Sequence, residues 1–361
     1  SSTVSGNTAD LGGGGIENSG TLALERLSTV SGNTGRGLGG GIQNLGTLAL
    51  NSSTVSGNTA SQTTILGTRV PGSGGGIFAG SIRNYRSTLT LTDSSVTGNS
   101  ADDYGGGIFD GFGTVTLRSS TVSGNTAGQL GGGVASLGLM TVTNSTVSGN
   151  SASARGGGVN SAGTSTFTNS TISGNVSGRV GGGLFNTGTV TLVQSLLSGN
   201  SAPVIGQEAY NAAGTVIGDS FNLFGHDGFS GVTGFTLGAT DLVPYAPLPA
   251  ILDPTLSDNG GPTQTHGLVF GSPALDAVPG AGCSTAIDQR GAPRPQDADG
   301  DTIPDCDIGA IERGLIPIQA EILSTTLDCR SAGCRVSVRC NLLETECRNP
   351  IDITVRRAAV R

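Results

Sequence analysis

Aliphatic residues recur at fixed places along the first 200 residues, separated by short runs in which apolar positions alternate with Ser or Thr. One column holds Val4, Val30, Val55, Val96, Val122, Val147, Ile172 and Leu197. A second holds Leu50, Leu91, Leu117, Val142, Phe167 and Leu192, with Leu24 displaced by one. A third holds Ile16, Ile42, Ile77, Ile108, Val134, Val159 and Leu184. Runs such as Thr189-Val190-Thr191-Leu192 have the period of two that marks a strand with one apolar face. No stretch carries a 3.6-residue stripe, so helices are not expected.

The breaks between columns are as regular as the columns. A Gly-Asn turn preceded by Ser or Thr places Asn7, Asn33, Asn58, Asn99, Asn125, Asn150, Asn175 and Asn200 at steps of 26, 25, 41, 26, 25, 25 and 25 residues. Gly triplets ending at Gly15, Gly41, Gly76, Gly107, Gly133, Gly158 and Gly183 precede the third column. A fixed period of this size means a solenoid, since one repeat cannot bury its apolar face alone. Three short strands joined by corners make one coil, and the reading is all-β: a right-handed parallel β-helix with coils of about 25 residues rising about 4.8 Å each. Gly supplies positive φ at the corners, and Asn tolerates the left-handed region and can stack as an amide ladder from coil to coil. The 41-residue step holds two insertions, one between Asn58 and Gly74 and one between Ile77 and Leu89, both at corners. Tyr210-Asn211 and Gly214-Thr215-Val216-Ile217 read as a degenerate ninth coil.

Composition sharpens this picture. Gly and Pro together are 77 of 361 residues, below the roughly 25–30% of low-complexity chains, and the glycines are strictly placed, so disorder is rejected. All 18 basic residues are Arg. Net charge is +1 over residues 1–200, −12 over 201–312 and +3 over 313–361. A near-neutral rod argues against nucleic acid or an anionic membrane as partner, and no segment reads as a membrane insertion. The acidic middle argues for cations. Cys283, Cys306, Cys329, Cys334, Cys340 and Cys347 all lie late in the chain, an even set that suggests disulfides and an oxidising compartment. Their spacings do not match zinc frames; Cys283–Cys306 is the first pairing expected, because the other four lie close together. The organisation expected is a β-helix over 1–219, an irregular acidic cap over 220–312 and a small Cys-rich β segment over 313–361. Residue 1 falls inside a strand-turn unit, so a leader and an N-terminal cap are expected outside this sequence.

Residues 220–312 carry a series of short motifs: SFNLFG (220–225), GFTLGATDLV (234–243), LSDNGGPTQTHGLVFGSPALDA (256–277), DQRGAPRP (288–295) and CDIGAIE (306–312). Together they resemble the choice-of-anchor Q domain of bacterial surface and secreted proteins. The preceding repeats resemble the polymorphic-outer-membrane-protein and parallel β-helix repeats that usually come before it. The resemblance implies export, a secreted or cell-surface location and anchoring, and implies no enzymatic activity.

Two places carry candidate chemistry. Asp297, Asp299, Asp301 and Asp305 occupy calcium-loop positions 1, 3, 5 and 9, with Asp307 following, and the run resembles thrombospondin type 3 loops. Structural Ca²⁺ is the expectation; the plain alternative is an acidic surface loop closed by Cys306. Thr302 stands where a calcium hand has Gly, and Ile308 where it has a bidentate Glu. The corner leading into the Gly triplets collects Arg69, Asp102, Asp103, Tyr104, Arg155 and Arg179 as a candidate glycan edge, against the blander reading of solvated loop tips. Asp103 and Arg179 share one column three coils apart, about 14 Å at sheet spacing.

The function expected is a monomeric, exported, rod-like protein for adhesion or for binding a polysaccharide or host glycan. The alternatives are a polysaccharide lyase or glycosidase acting at Asp102 and Asp103, the one adjacent acid pair in the rod, and a passive spacer. Gly225-His226-Asp227 matches no catalytic motif closely, and His266 reads as a structural hydrogen-bonding residue. An ice-binding face would need regular Thr-x-Thr rows, which these repeats lack.

Overall fold

In the computed structural model, which describes residues 1–80, 87–218, 220–314, 322–330 and 333–340, the repeats stack as a parallel β-solenoid. Residues 1–315 form one compact unit and 316–361 a second. Sheet I carries the first aliphatic column in nine strands, from Thr3–Ser5 to Leu223–Phe224. Sheet III carries the third column in nine strands, from Ile16–Asn18 to Val232–Thr233. Sheet IV carries the second column in eight strands, from Thr21–Leu24 to Thr215–Ile217. Every neighbouring pair in these sheets is parallel and brings equivalent repeat positions together: Val30 pairs Val55, Val122 pairs Val147 and Leu91 pairs Leu117.

The coil has four strands rather than the three expected. Sheet II runs from Thr8–Ala9 to Val176–Ser177 in seven strands of only two or three residues, directly after each turn Asn. Its inward position takes a small side chain, since Ala60, Ala101, Ala127 and Ala152 are buried. Strand pairing also runs past residue 219, through Leu223–Phe224 and Val232–Thr233, into the first part of the expected cap. The first insertion folds into a hairpin, Thr63–Ile65 against Thr68–Val70. The second falls on residues 81–86, outside the described set.

Burial explains the order. Val30, Ile42, Leu50, Ile77, Leu117, Met140, Phe167 and Leu192 belong to one cluster and are at most 1% exposed. The middle Gly of each triplet is required by close approach: a Cβ on Gly132 would lie 2.4 Å from the carbonyl oxygens of Ser151 and Gly157. The Gly before each Asn is required by conformation, with φ of 63° at Gly124. A further corner, between sheets IV and I, holds non-glycine residues at positive φ, including Ser119, Asn144, Asn169 and Gln194.

The turn asparagines form the expected ladder. Nδ2 of Asn125 donates to Oδ1 of Asn150 at 2.9 Å, and the backbone N–H of Asn125 donates to the same oxygen at 3.0 Å. Each amide also donates back to the preceding coil, as Asn150 does to the Val122 carbonyl at 3.0 Å. The pattern repeats from Asn7 to Asn200, so each interior amide makes four bonds without water. The amide-to-amide bonds all run toward the C-terminal end, where Asn200 Nδ2 donates to the buried carboxylate of Glu208 at 2.5 Å. Glu208 also accepts from the N–H of Gly199 and Asn200.

Burial pushes the Glu208 carboxyl up to about 7, against the opposing pull of these donors. Because the folded-state pKa is raised, its share of stability is full below the unfolded value of 4.5 and is lost as pH rises through 7. Urea unfolding across pH 4.5–7 should therefore show the wild type losing roughly 3 kcal/mol relative to Glu208→Gln. Parallel pH profiles for the two proteins would contradict this role.

After the last coils the chain turns back. Residues 245–312 lie against the outer face of sheet I, opposite the solenoid core. Thr121 Oγ1 donates to the Gln264 carbonyl at 2.6 Å, Thr146 Oγ1 to Gln289 Oε1 at 2.7 Å, and the Ala310 N–H to Thr171 Oγ1 at 3.0 Å. A second apolar cluster of Leu196, Leu223, Ile251, Leu252, Val278, Cys306 and Ile308 seals the contact. The motif residues of this region are its fasteners: Arg294 and Glu312 form a fully buried ion pair at 2.9 Å, and Arg294 also donates to the carbonyls of Asp307 and Gly309. Arg290 pairs with the buried Asp288 at 2.8 Å. The Cys283–Cys306 disulfide is present.

In the second unit, Ile322–Arg330 and Gly333–Cys340 form an antiparallel hairpin in which Cys329 stands opposite Cys334. Cys347 and the rest of the expected Cys-rich segment after Cys340 lie outside the described residues.

Candidate functional site

The outer row of sheet III is where side-chain chemistry gathers on the rod. Ile77 and Ala79 point into the core, so Phe78 between them points out, and the paired positions along this row are Gln43, Phe78, Phe109, Ala135, Asn160, Phe185 and Tyr210. Two aromatic groups result. Phe78 and Phe109 stack with centroids 5.4 Å apart, and Tyr104 leans on Phe109 at 6.2 Å. Three coils on, Phe185 and Tyr210 meet edge to face at 5.7 Å. Ala135 and Asn160 leave a low stretch between them.

Beside this row runs the corner column Tyr104, Leu130, Arg155, Val180 and Ile205, paired coil to coil. The Arg155 guanidinium lies over the Phe185 ring at 5.2 Å. Arg179 follows in the next coil, one residue before Val180, and both arginines are exposed.

The six corner residues separate into two sets. Asp103 is 1% exposed and fully engaged: it pairs with Arg69 at 2.5 Å, accepts from Gln129 Nε2 at 2.5 Å and from the Gly72 N–H at 3.0 Å. Asp102 is exposed and accepts from the Gln62 N–H at 2.8 Å. Arg69 also donates to Gln62 Oε1. These three close the 62–72 hairpin onto the rod. Tyr104, Arg155 and Arg179 remain on the surface beside the aromatic row. Asp103 and Arg179 do share a column, but Asp103 faces its own partners and not a groove.

The aspartate loop divides similarly. Asp297 and Asp299 gather with Asp276, their ligand oxygens all within 4.8 Å of one another. Asp301 accepts the Ile303 N–H, Asp305 the Gly280 N–H, and the buried Asp307 the N–H groups of Asp276 and Arg313. Asp305 and Asp307 thus hold the fold rather than the cluster. Burial pushes the Asp307 carboxyl up to about 7. Asp276 supplies the third carboxylate; its Oδ2 accepts from the N–H groups of Ala298 and Asp299, while its buried Oδ1 has no hydrogen-bond partner among the described residues. Burial pushes the Asp276 carboxyl up, with repulsion from Asp299 and Asp297 adding to it. The strained turn falls on Thr302, at φ 74°.

His266 is buried, its Nδ1 donating to the Asp253 carbonyl at 2.8 Å and its Nε2 accepting from Ser148 at 2.7 Å. Burial lowers its pKa, favouring the neutral ring that this arrangement needs. It pins the returning segment to sheet I, as its structural reading expects. Among the described residues no helix is long and apolar enough to cross a membrane. No protein-family model, curated protein or solved structure matches the chain.

Proposed function

We propose that this protein is an exported, rod-like surface or matrix protein that contacts glycans along the outer row of sheet III. The observation that carries this reading is the pair of aromatic groups, Tyr104/Phe109 and Phe185/Tyr210, held in register by the stacking of coils. Rings fixed on a rigid scaffold offer apolar faces to sugar C–H groups at little entropic cost, and polar edges for hydroxyls. The resemblance of 220–312 to surface-anchored proteins and the Cys283–Cys306 disulfide support an extracellular setting. The lyase or glycosidase reading asked for two free carboxylates at one corner, and Asp103 is taken up by Arg69 and Gln129. A glycan array probed with the intact chain should give hits that Tyr104→Ala and Tyr210→Ala weaken at least tenfold. A blank array would favour the passive spacer.

A structural calcium ion is the second proposal, carried by the gathering of Asp276, Asp297 and Asp299, each with a carboxylate oxygen within 4.8 Å of the others. Three aspartates, completed by water or backbone oxygens, suit a hard cation. Calcium titration by calorimetry should give heats that Asp276→Asn and Asp299→Asn remove and Asp305→Asn retains. Equal heats in all four proteins would exclude this site.

A further inference from the structure

We propose that the Arg155, Arg179 and Tyr210 end of the aromatic row binds an acidic polysaccharide, one bearing uronate carboxylates, laid along the rod axis. This rests on the glycan reading above and narrows it to a charge class and a position.

The two aromatic groups differ in electrostatics. At the N-terminal group the nearby Arg69 is neutralised by Asp103, and the exposed Asp102 adds negative charge. At the C-terminal group two exposed arginines stand on adjacent coils, and among the described residues neither makes an ion pair or a hydrogen bond through its side chain. Arg155 has only the Phe185 ring beneath it. Stacking on a ring face orients the guanidinium plane while leaving its N–H edges free, the state in which an arginine meets a carboxylate with two parallel bonds. Phe185 is 4% exposed, so it serves as the support, and the half-buried Tyr210 at its edge offers the accessible ring.

Coil stacking sets the direction. Arg155 and Arg179 stand on adjacent coils, about 4.8 Å apart along the axis and one residue out of column, since Arg155 pairs with Val180, so an extended chain running along the axis passes both in turn. A rod segment of net charge +1, with its acid groups on other coils, leaves this positive patch uncancelled. Neutral glycans would leave both guanidinium groups unused.

The test uses the full chain with polygalacturonate and neutral dextran as probes, read by calorimetry at two salt concentrations. Arg155→Gln with Arg179→Gln should lower affinity for polygalacturonate at least tenfold, with unchanged circular dichroism and melting temperature. Arg155→Lys should lose affinity as well, because an ammonium cannot make the paired bonds. Affinity unchanged by the double substitution overturns the proposal. Binding to dextran that depends on Tyr210 but not on the arginines overturns the charge assignment and keeps the glycan reading. Binding to neither polymer, with a blank glycan array, removes both. Tighter, arginine-dependent binding of a single-stranded RNA oligomer would assign the patch to nucleic acid and overturn the proposal.

Discussion

Asn150→Ala is expected to destabilise the rod by roughly 3 kcal/mol, a large effect for one buried side chain in the repeats. The substitution takes a partner from four buried groups at once: the N–H of Asn125 loses its acceptor, Nδ2 of Asn125 keeps only the Val96 carbonyl, Oδ1 of Asn175 keeps only the N–H of residue 150, and the Val122 carbonyl loses a donor. A methyl group cannot answer any of them, and water has no route to a side chain with no exposed surface. Asn7→Ala, at the exposed start of the ladder, should cost under about 1 kcal/mol, since water replaces what is lost. Urea melts of both variants check the contrast, and similar costs at the two positions would refute the ladder's role.

The second large effect concerns the returning segment. Arg294→Met leaves Glu312 buried without its counter-charge and removes donors to two carbonyls, for an expected cost of about 3–5 kcal/mol. The cost falls on docking rather than on the coils. Limited proteolysis should therefore cleave between residues 245 and 312 in the variant while the solenoid stays protected. Arg294→Met combined with Glu312→Leu should recover only the part due to the unpaired charge, because the carbonyls of Asp307 and Gly309 and the N–H groups of Gln296 and Asp307 lose their side-chain partners. A variant in which coils and returning segment become sensitive together would contradict a separate docking unit.

The parts that could be read from the sequence are those that repeat. Val30, Val55 and Val122, the turn asparagines and the Gly triplets recur every 25 or 26 residues, and periodicity converts directly into stacking. Sheet II escaped because a strand of two residues, such as Thr126–Ala127, is too short to show alternation. The left-handed corner at Ser119, Asn144, Asn169 and Gln194 escaped because several residue types tolerate it. The fold-back of 245–312 escaped because it joins residues far apart in the chain: Thr121 meets Gln264 and Thr146 meets Gln289, each across 143 positions. The same reasoning explains the site. Asp276 joins Asp297 from outside the aspartate run, and the aromatic row shares its column with Gln43, Ala135 and Asn160, so no motif marks it.

Everything rests on successive coils stacking in register, and pulsed dipolar spectroscopy of spin-label pairs on sheet IV measures that directly. One label sits at Thr191 and the other at Thr116, Thr90 or Ala49, which lie three, four and five coils away through like-for-like pairing. The stacked solenoid predicts distances that grow by about 4.8 Å at each move, including the last, which crosses the 41-residue insertion step. Distances that instead jump across the insertion, or that follow sequence separation with no constant increment, would contradict it.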